Sequence, residues 1–191
     1  MAKASRRAKP HGGAQARWRL LGATVLALMP AAHAFDLQSL EQGQEKLFPG
    51  RRLAPADFKL SPDQYSHLKA DFHVPAMRPA IKAWQVEGGG WLYLDQVWGR
   101  DDIVTYLVAV SDAGKLLGIE MLVCADGYCD QYTRQWRAQL IGRTAGDWRP
   151  GDAVNIVSGA TLSCTHVAEG VKKILAIHAR YRPGSTAPSG G

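Results

Sequence analysis

The sequence lacks the short motifs by which most redox and phosphate-binding proteins are recognised. It has no C-x-x-C pair, no C-x-x-C-H signal for haem attachment, no G-x-G-x-x-G fingerprint and no P-loop. It also lacks the G-x-S-x-G elbow that exposes the nucleophile of serine hydrolases. These absences argue against a thioredoxin-like site, a c-type cytochrome, a Rossmann dehydrogenase, a P-loop nucleotide hydrolase and an α/β-hydrolase.

Net charge is also absent once the N-terminal segment is set aside. Of the 23 Lys and Arg residues, six lie in residues 1–34, which contain no acidic residue, so the remaining 17 face all 17 Asp and Glu residues of the chain. A domain without a basic excess has little with which to neutralise phosphodiester backbones. We therefore expect no nucleic-acid partner.

The first 34 residues have the layout of a secretory signal peptide. A basic segment precedes an apolar run from Leu20 to Met29, and Ala32-His33-Ala34 supplies small residues for cleavage. The apolar run is shorter than the roughly 20 residues that span a bilayer. We expect residues 1–34 to be a signal peptide, exported by the general or the twin-arginine route. Residues 35–182 are then one periplasmic domain, which could associate with the membrane, and residues 183–191 a disordered tail.

The remaining patterns predict an α+β domain. A helix is expected over residues 35–48, ended by Pro49-Gly50, and a second helix should begin at Ser61-Pro62-Asp63-Gln64, which has the form of a capping box. Residues 75–83 are expected to be irregular. Strands over residues 90–98, 103–110 and 115–124, with turn residues at 111–114, predict an antiparallel β-meander packed with N-terminal helices and a C-terminal helix.

Three cysteines suggest one disulfide and one remaining thiol. Cys124 and Cys129 flank a short loop that can turn at Gly127, so they are the candidate pair. Such a disulfide could be a structural staple or, if strained, redox-active, and both residues could also remain thiols. Cys164, on the first turn of the last helix, is expected to be a small core residue.

A long helix is predicted from the turn Ser158-Gly159-Ala160-Thr161 to about Tyr181. Its buried face should carry Val167, Val171, Ile174 and His178, while Glu169, Lys172 and Lys173 should face water. The first N–H groups of a helix have no intrahelical acceptor and carry the positive end of the macrodipole. The start of this helix is therefore suited to hold a phosphate.

The segment Asp152 to Leu175, DAVNIVSGATLSCTHVAEGVKKIL, resembles the FMN-binding domain of bacterial flavoproteins, such as the flavin-carrying subunits of sodium-translocating and Rnf-type respiratory complexes. The resemblance covers a core of residues 88–180. It implies that FMN is the cofactor and that a flavin transferase joins it to Thr161 through a phosphoester. It further implies that the flavin phosphate lies at the helix start, beside Ser158, Gly159, Ala160, Leu162 and Ser163.

One position departs from the family's attachment signal, which usually has Asp where this chain has Asn155. Asn can accept hydrogen bonds but carries no charge, so a transferase would recognise this signal less strongly. Asp126 stands where related domains often carry an acidic residue near the flavin. The side chains that could pack on the flavin ring, or else belong to the core, are Tyr128, Tyr132, Trp136, Trp91 and Tyr93. Arg134, Arg137 and Arg143 could meet the phosphate or the ring, or be solvated surface charges.

These expectations describe a periplasmic electron-transfer protein rather than a stand-alone oxidoreductase, because no motif for a second cofactor is present. Electrons would pass between a membrane redox partner and an acceptor. We expect no catalytic residue and no metal site in the chain itself. One alternative is a non-catalytic FMN-binding or regulatory module of a membrane complex, without covalent flavin. Another is a thiol–disulfide protein that uses Cys124 and Cys129.

Overall fold

The computed structural model describes residues 37–71, 78–124, 134–147 and 161–184, apart from the side chains of residues 37–39 and 161. The chain divides into two units after Ala34, and all described residues belong to the second, Phe35–Gly191. None of the helices in these ranges combines the length and the apolar character that crossing a membrane requires.

The described residues form an α+β domain, as predicted. The helices are α1 (Leu37–Leu47), α2 (Pro62–Asp71), α3 (Arg134–Ala138) and α4 (Thr161–Tyr181), with a 3-10 turn at Ala145–Asp147. The strands are β1 (Leu53–Pro55), β2 (Phe58–Lys59), β3 (Ala80–Val86), β4 (Trp91–Trp98), β5 (Ile103–Val110) and β6 (Leu116–Cys124). The sheet order is β1-β3-β4-β5-β6, with β2 also on β3, and every pairing is antiparallel.

Local sequence signals set the ends of the first two helices as expected. After α1, Gly50 has a φ of 66°, a left-handed conformation that glycine adopts without strain. At the start of α2, the Ser61 N–H donates to Gln64 Oε1 at 2.9 Å and the Gln64 N–H donates to Ser61 Oγ at 3.2 Å. This reciprocal pair is the predicted capping box.

The edge of the sheet differs from the prediction. Residues 75–83 were expected to be irregular, but β3 begins at Ala80; residues 75–77 lie outside the described residues. β1 and β2 pair with the two ends of β3, and between them Asp57 accepts hydrogen bonds from the Ala83 N–H at 3.0 Å and from Lys82 Nζ at 2.6 Å. The carboxylate thus takes the place of a backbone acceptor where the edge strand is interrupted.

Two helices cover the two faces of the sheet. On one face, α1 packs over Trp84, Leu92, Leu107 and Ala109. On the other, α4 covers the larger core, to which α2 and α3 also contribute, and the predicted buried residues of α4 are buried there. The central strand β5 is consequently buried on both sides from Val104 to Val110.

One predicted surface residue of α4 is in the core. Lys173 was expected to face water, but it is only 2% exposed, and its Nζ lies 2.8 Å from Asp95 Oδ1 on β4. Helical spacing puts position 173 on the same side as buried Gly170 and Ile177, and the Asp95 carboxylate compensates the ammonium charge. Glu169 and Lys172 do lie at the surface, partly exposed.

Candidate functional site

Helix α4 lies antiparallel along β4 and is fixed to it, and to the turn that follows, by four polar contacts. From the start of the helix to its end these are Arg100 N to Ser163 Oγ at 2.9 Å, His166 Nδ1 to Trp98 O at 2.6 Å, Lys173 Nζ to Asp95 Oδ1 at 2.8 Å and Tyr93 Oη to His178 Nδ1 at 2.9 Å. We refer to them as the four β4–α4 contacts.

The spacing of these contacts explains why all four form together. Between Tyr93 and Trp98 the extended strand covers about 17 Å, and between His178 and His166 the helix covers about 18 Å. Because the two lengths agree, each polar group of α4 meets its partner in one register of helix on strand. The position of the helix start relative to the sheet is therefore fixed.

Two of the β4–α4 contacts bind the last residue of β4 and the β4–β5 turn, residues 99–102, to the first turns of α4. The turn is closed by the Gly99 N–H, which donates to Asp102 O at 2.7 Å. Ser163, which is fully buried, accepts the N–H of Arg100. Because a carbonyl can only accept, His166 carries its proton on Nδ1 and donates it to Trp98 O. Ser163 and His166 thus join turn and helix, and a contact of Ser163 with the flavin stays a prediction.

The start of α4 has the chemistry that a phosphate needs. The helix begins at Thr161, is 21 residues long and carries no acidic side chain in its first turn, so no side chain of that turn repels an anion at the positive end of the dipole. Leu162 is 49% exposed beside it and offers apolar surface. The described part of this site fits the phosphate end of FMN. Among the described residues, no group of three or more His, Cys, Asp or Glu side chains could hold a metal ion.

The end of β6 lies at the same end of the sheet. Cys124 pairs with Val104 on β5, which pairs with Val97 on β4, and all three side chains belong to the core on the α4 side. Cys124 is disulfide-bonded; its predicted partner, Cys129, lies outside the described residues. Cys164 is a reduced thiol, 1% exposed, and is a core residue as predicted.

The structure shows the surroundings of five residues that were candidates for flavin contact. Trp136 is 1% exposed in the core, so its core-packing alternative holds, and a contact with the flavin stays a prediction. Arg137 donates to Ile119 O and to Glu120 Oε2, both at 2.9 Å, and Arg134 is exposed. Trp91 and Tyr93 are buried beside His178, about 25 Å along α4 from Thr161. Both belong to the core, so their core-packing alternative holds.

The far end of α4 is instead a buried neutral cluster. Burial, and to a smaller extent the positive charge of Arg182, lower the pKa of His178 to about 4, against smaller opposing effects of Asp112 and Ser111. Burial also raises the pKa of Tyr93 well above its ordinary value. Both side chains are therefore uncharged at neutral pH and serve packing.

The other predicted site residues lie outside the described ranges: Asp126, Tyr128, Tyr132, Asn155, Ser158, Gly159 and Ala160. By chain position, Asp126 and Tyr128 follow Cys124 closely, and Ser158, Gly159 and Ala160 immediately precede Thr161. Their proposed contacts with the flavin stay predictions.

The comparison with known protein families bears on this same region. Residues 99–176, from the β4–β5 turn to the last turns of α4, match the family model of the FMN-binding domain. The chain contains an FMN-binding domain. FMN is therefore its cofactor, as the resemblance of the SGAT segment implied. No curated protein matches the chain.

Proposed function

We propose that this protein is an exported electron carrier that holds FMN at the start of α4 and passes electrons between a membrane redox partner and an acceptor in the periplasm. The observation that carries the proposal is that α4 begins at Thr161, inside the segment that matches the FMN-binding domain. FMN, when bound, supplies one-electron and two-electron chemistry, while the protein supplies binding and orientation.

The proposed attachment is a phosphoester at Thr161, made by a flavin transferase. The Thr161 Oγ1 replaces one hydroxyl of the FMN phosphate: the O–H bond of Thr161 and one P–OH bond are broken and the Oγ1–P bond is formed. The overall change in composition is the gain of one FMN and the loss of one water. In this proposal the N–H groups of the first turn of α4 bind the phosphate oxygens. Ser163 and His166 bind the end of β4 and the β4–β5 turn to the helix, so these residues stay in a fixed position beside the helix start.

The attachment is tested by intact mass and visible absorbance of the full chain, produced in a host that exports it together with a flavin transferase. We expect a mass gain of one FMN less one water and a flavin absorption band that survives denaturation. Thr161→Val should abolish both. Thr165→Val, one turn further along α4, is the matched control and should keep both. Flavin retained covalently in Thr161→Val would refute the attachment at this residue.

Asn155 favours one second candidate, an FMN-binding or regulatory module that holds the flavin without a covalent bond. Since a transferase would recognise Asn less strongly than Asp at this position, this candidate predicts a parent chain of bare polypeptide mass that still binds added FMN. Asn155→Asp, co-expressed with the transferase, should then become covalently loaded. Full loading of the parent chain would exclude the candidate.

A further inference from the structure

A buried charged cluster lies under the middle of α4 and is not used by the flavin chemistry. Lys173 Nζ is 2.8 Å from Asp95 Oδ1, and the Tyr106 hydroxyl donates to Asp95 Oδ2 at 2.6 Å. Tyr106 is fully buried, and the side chains of Lys173 and Asp95 are 2% and 12% exposed. The three residues belong to α4, β5 and β4, so they connect the helix to two central strands. We call them the Asp95–Tyr106–Lys173 cluster.

This cluster costs the protein desolvation energy, which offsets much of the attraction between its charges. Buried ion pairs can often be replaced by apolar residues of similar volume without loss of stability, whereas removing one partner leaves a costly unpaired charge. Apolar packing is also non-directional, so the many apolar contacts of α4 restrict its position along the sheet less sharply than a paired charge does.

We propose that the Asp95–Tyr106–Lys173 cluster positions the FMN site by fixing where α4 lies along β4. Sliding the helix by one turn, about 5.4 Å, would leave the Lys173 ammonium and the Asp95 carboxylate buried and unpaired. The register that pairs them also aligns Ser163 and His166 with the β4–β5 turn. Lys173 and Asp95 are thus positioning residues for the helix start.

The inference rests on the proposed binding of the FMN phosphate at the start of α4. Binding sites require their groups to be held within about 0.5 Å of the productive geometry, and hydrogen bonds to a charged group such as phosphate are among the strong ones. A small displacement of the helix start is therefore expected to weaken FMN binding even where the fold remains stable.

The test uses the full chain produced without a flavin transferase and titrated with FMN. The variant Asp95→Asn with Lys173→Met removes both charges and keeps the side-chain volumes similar. We expect its melting temperature to stay within about 3 °C of the parent or to rise. We expect its dissociation constant for FMN to increase at least ten-fold, and the visible circular dichroism of the bound flavin to change.

The matched control removes a half-exposed ion pair that does not involve α4. Asp57→Asn with Lys82→Met breaks the 2.6 Å pair at β3 near the sheet edge and should leave the FMN dissociation constant within two-fold of the parent. A dissociation constant within two-fold of the parent in the Asp95/Lys173 variant would overturn the proposal. The proposal would also be overturned if both double variants lost FMN affinity in proportion to their loss of melting temperature. The cluster would then have only a structural role.

If the Asp95/Lys173 variant does not fold, the variant Tyr106→Phe tests the proposal instead. This change removes the hydroxyl that orients Asp95 while keeping both charges and the ring. We expect FMN affinity to fall about three-fold or more, and the loss of the donor to the buried Asp95 oxygen to lower the melting temperature by about 2–12 °C. An unchanged FMN affinity in this variant would overturn the proposal. Failure of the parent itself to bind FMN is a separate outcome, which would refute the proposed function and this inference together.

Discussion

The close approach of α4 to the sheet depends on Gly170, and replacing this residue by Ala gives a sharp test of the packing. A Cβ at this position would overlap the Tyr106 hydroxyl and would lie 2.8 Å from Val97 Cγ1 and 3.1 Å from Asp95 Oδ2. Gly170 therefore makes room, inside a helix, for the hydroxyl that donates to Asp95. Elsewhere in a helix the same substitution normally stabilises a protein.

Three effects determine the expected change in the free energy of unfolding, one stabilising and two destabilising. Helix propensity favours Ala over Gly by about 1 kcal/mol. Overpacking of a tightly packed core costs about 1–3 kcal/mol. Displacing the Tyr106 hydroxyl leaves a fully buried polar group without its acceptor, which costs about 1–3 kcal/mol more. We expect Gly170→Ala to lower the free energy of unfolding by about 3 kcal/mol, which is a fall of about 6–12 °C in melting temperature.

Urea denaturation followed by far-ultraviolet circular dichroism measures this change, and a double-mutant cycle identifies its cause. In the Tyr106→Phe background the hydroxyl is gone, so Gly170→Ala should cost about 2 kcal/mol less than in the parent. Gly146→Ala, where the nearest neighbouring atom would be 3.9 Å from the added Cβ, is the control and should change stability little. Equal costs in both backgrounds, or a stabilised Gly170→Ala, would refute the steric argument.

Two further predictions concern stability. Because the pKa of His178 is lowered to about 4 from an ordinary value near 6.5, the unfolded chain binds this proton first, and stability should fall by about 3 kcal/mol as pH drops from 6.5 to 4. Urea titrations across this pH range give the slope of the free energy of unfolding against pH, and this slope should be smaller in His178→Gln. An unchanged slope would show that other groups cause the loss of stability. Ser61→Ala should lower the free energy of unfolding by about 1 kcal/mol, because the capping box is lost. Ser66 is exposed on the same helix, and Ser66→Ala should lower it less. Equal losses in the two variants would contradict the role of the cap.

Where structure depends on neighbours in the chain, the sequence predicted it well. The capping box at Ser61, the stop at Pro49-Gly50 and the turn at residues 111–114 are short-range signals, and the elements they delimit were predicted within a few residues. The SGAT turn similarly predicted the start of α4, and the family resemblance of the surrounding segment implied the cofactor. The helix ends and the turns are determined by backbone hydrogen bonds and turn geometry within a few residues.

Where structure depends on distant partners, the predictions from sequence were wrong or missing. β1 and β2 are two or three residues long, and β3 follows Pro79, so each lacks a strong strand pattern and forms by pairing with the others. Lys173 was assigned to the surface because its partner Asp95 is 78 positions away in sequence. The contacts of Ser163 and His166 with the β4–β5 turn span 63 and 68 positions and have no local signal.

The same long-range contacts show that the working unit of this protein is larger than the segment that matches the family model. That segment begins at residue 99, so it excludes β4, which ends at Trp98. It includes α4 as far as residue 176. Three of the four β4–α4 contacts use Tyr93, Asp95 and Trp98, all on β4. Without β4, Lys173 would lose its counter-charge and the buried face of α4 would lose the strand that it lies along. The helix start, where we propose that FMN is held, is therefore positioned in part by a strand outside the matched segment.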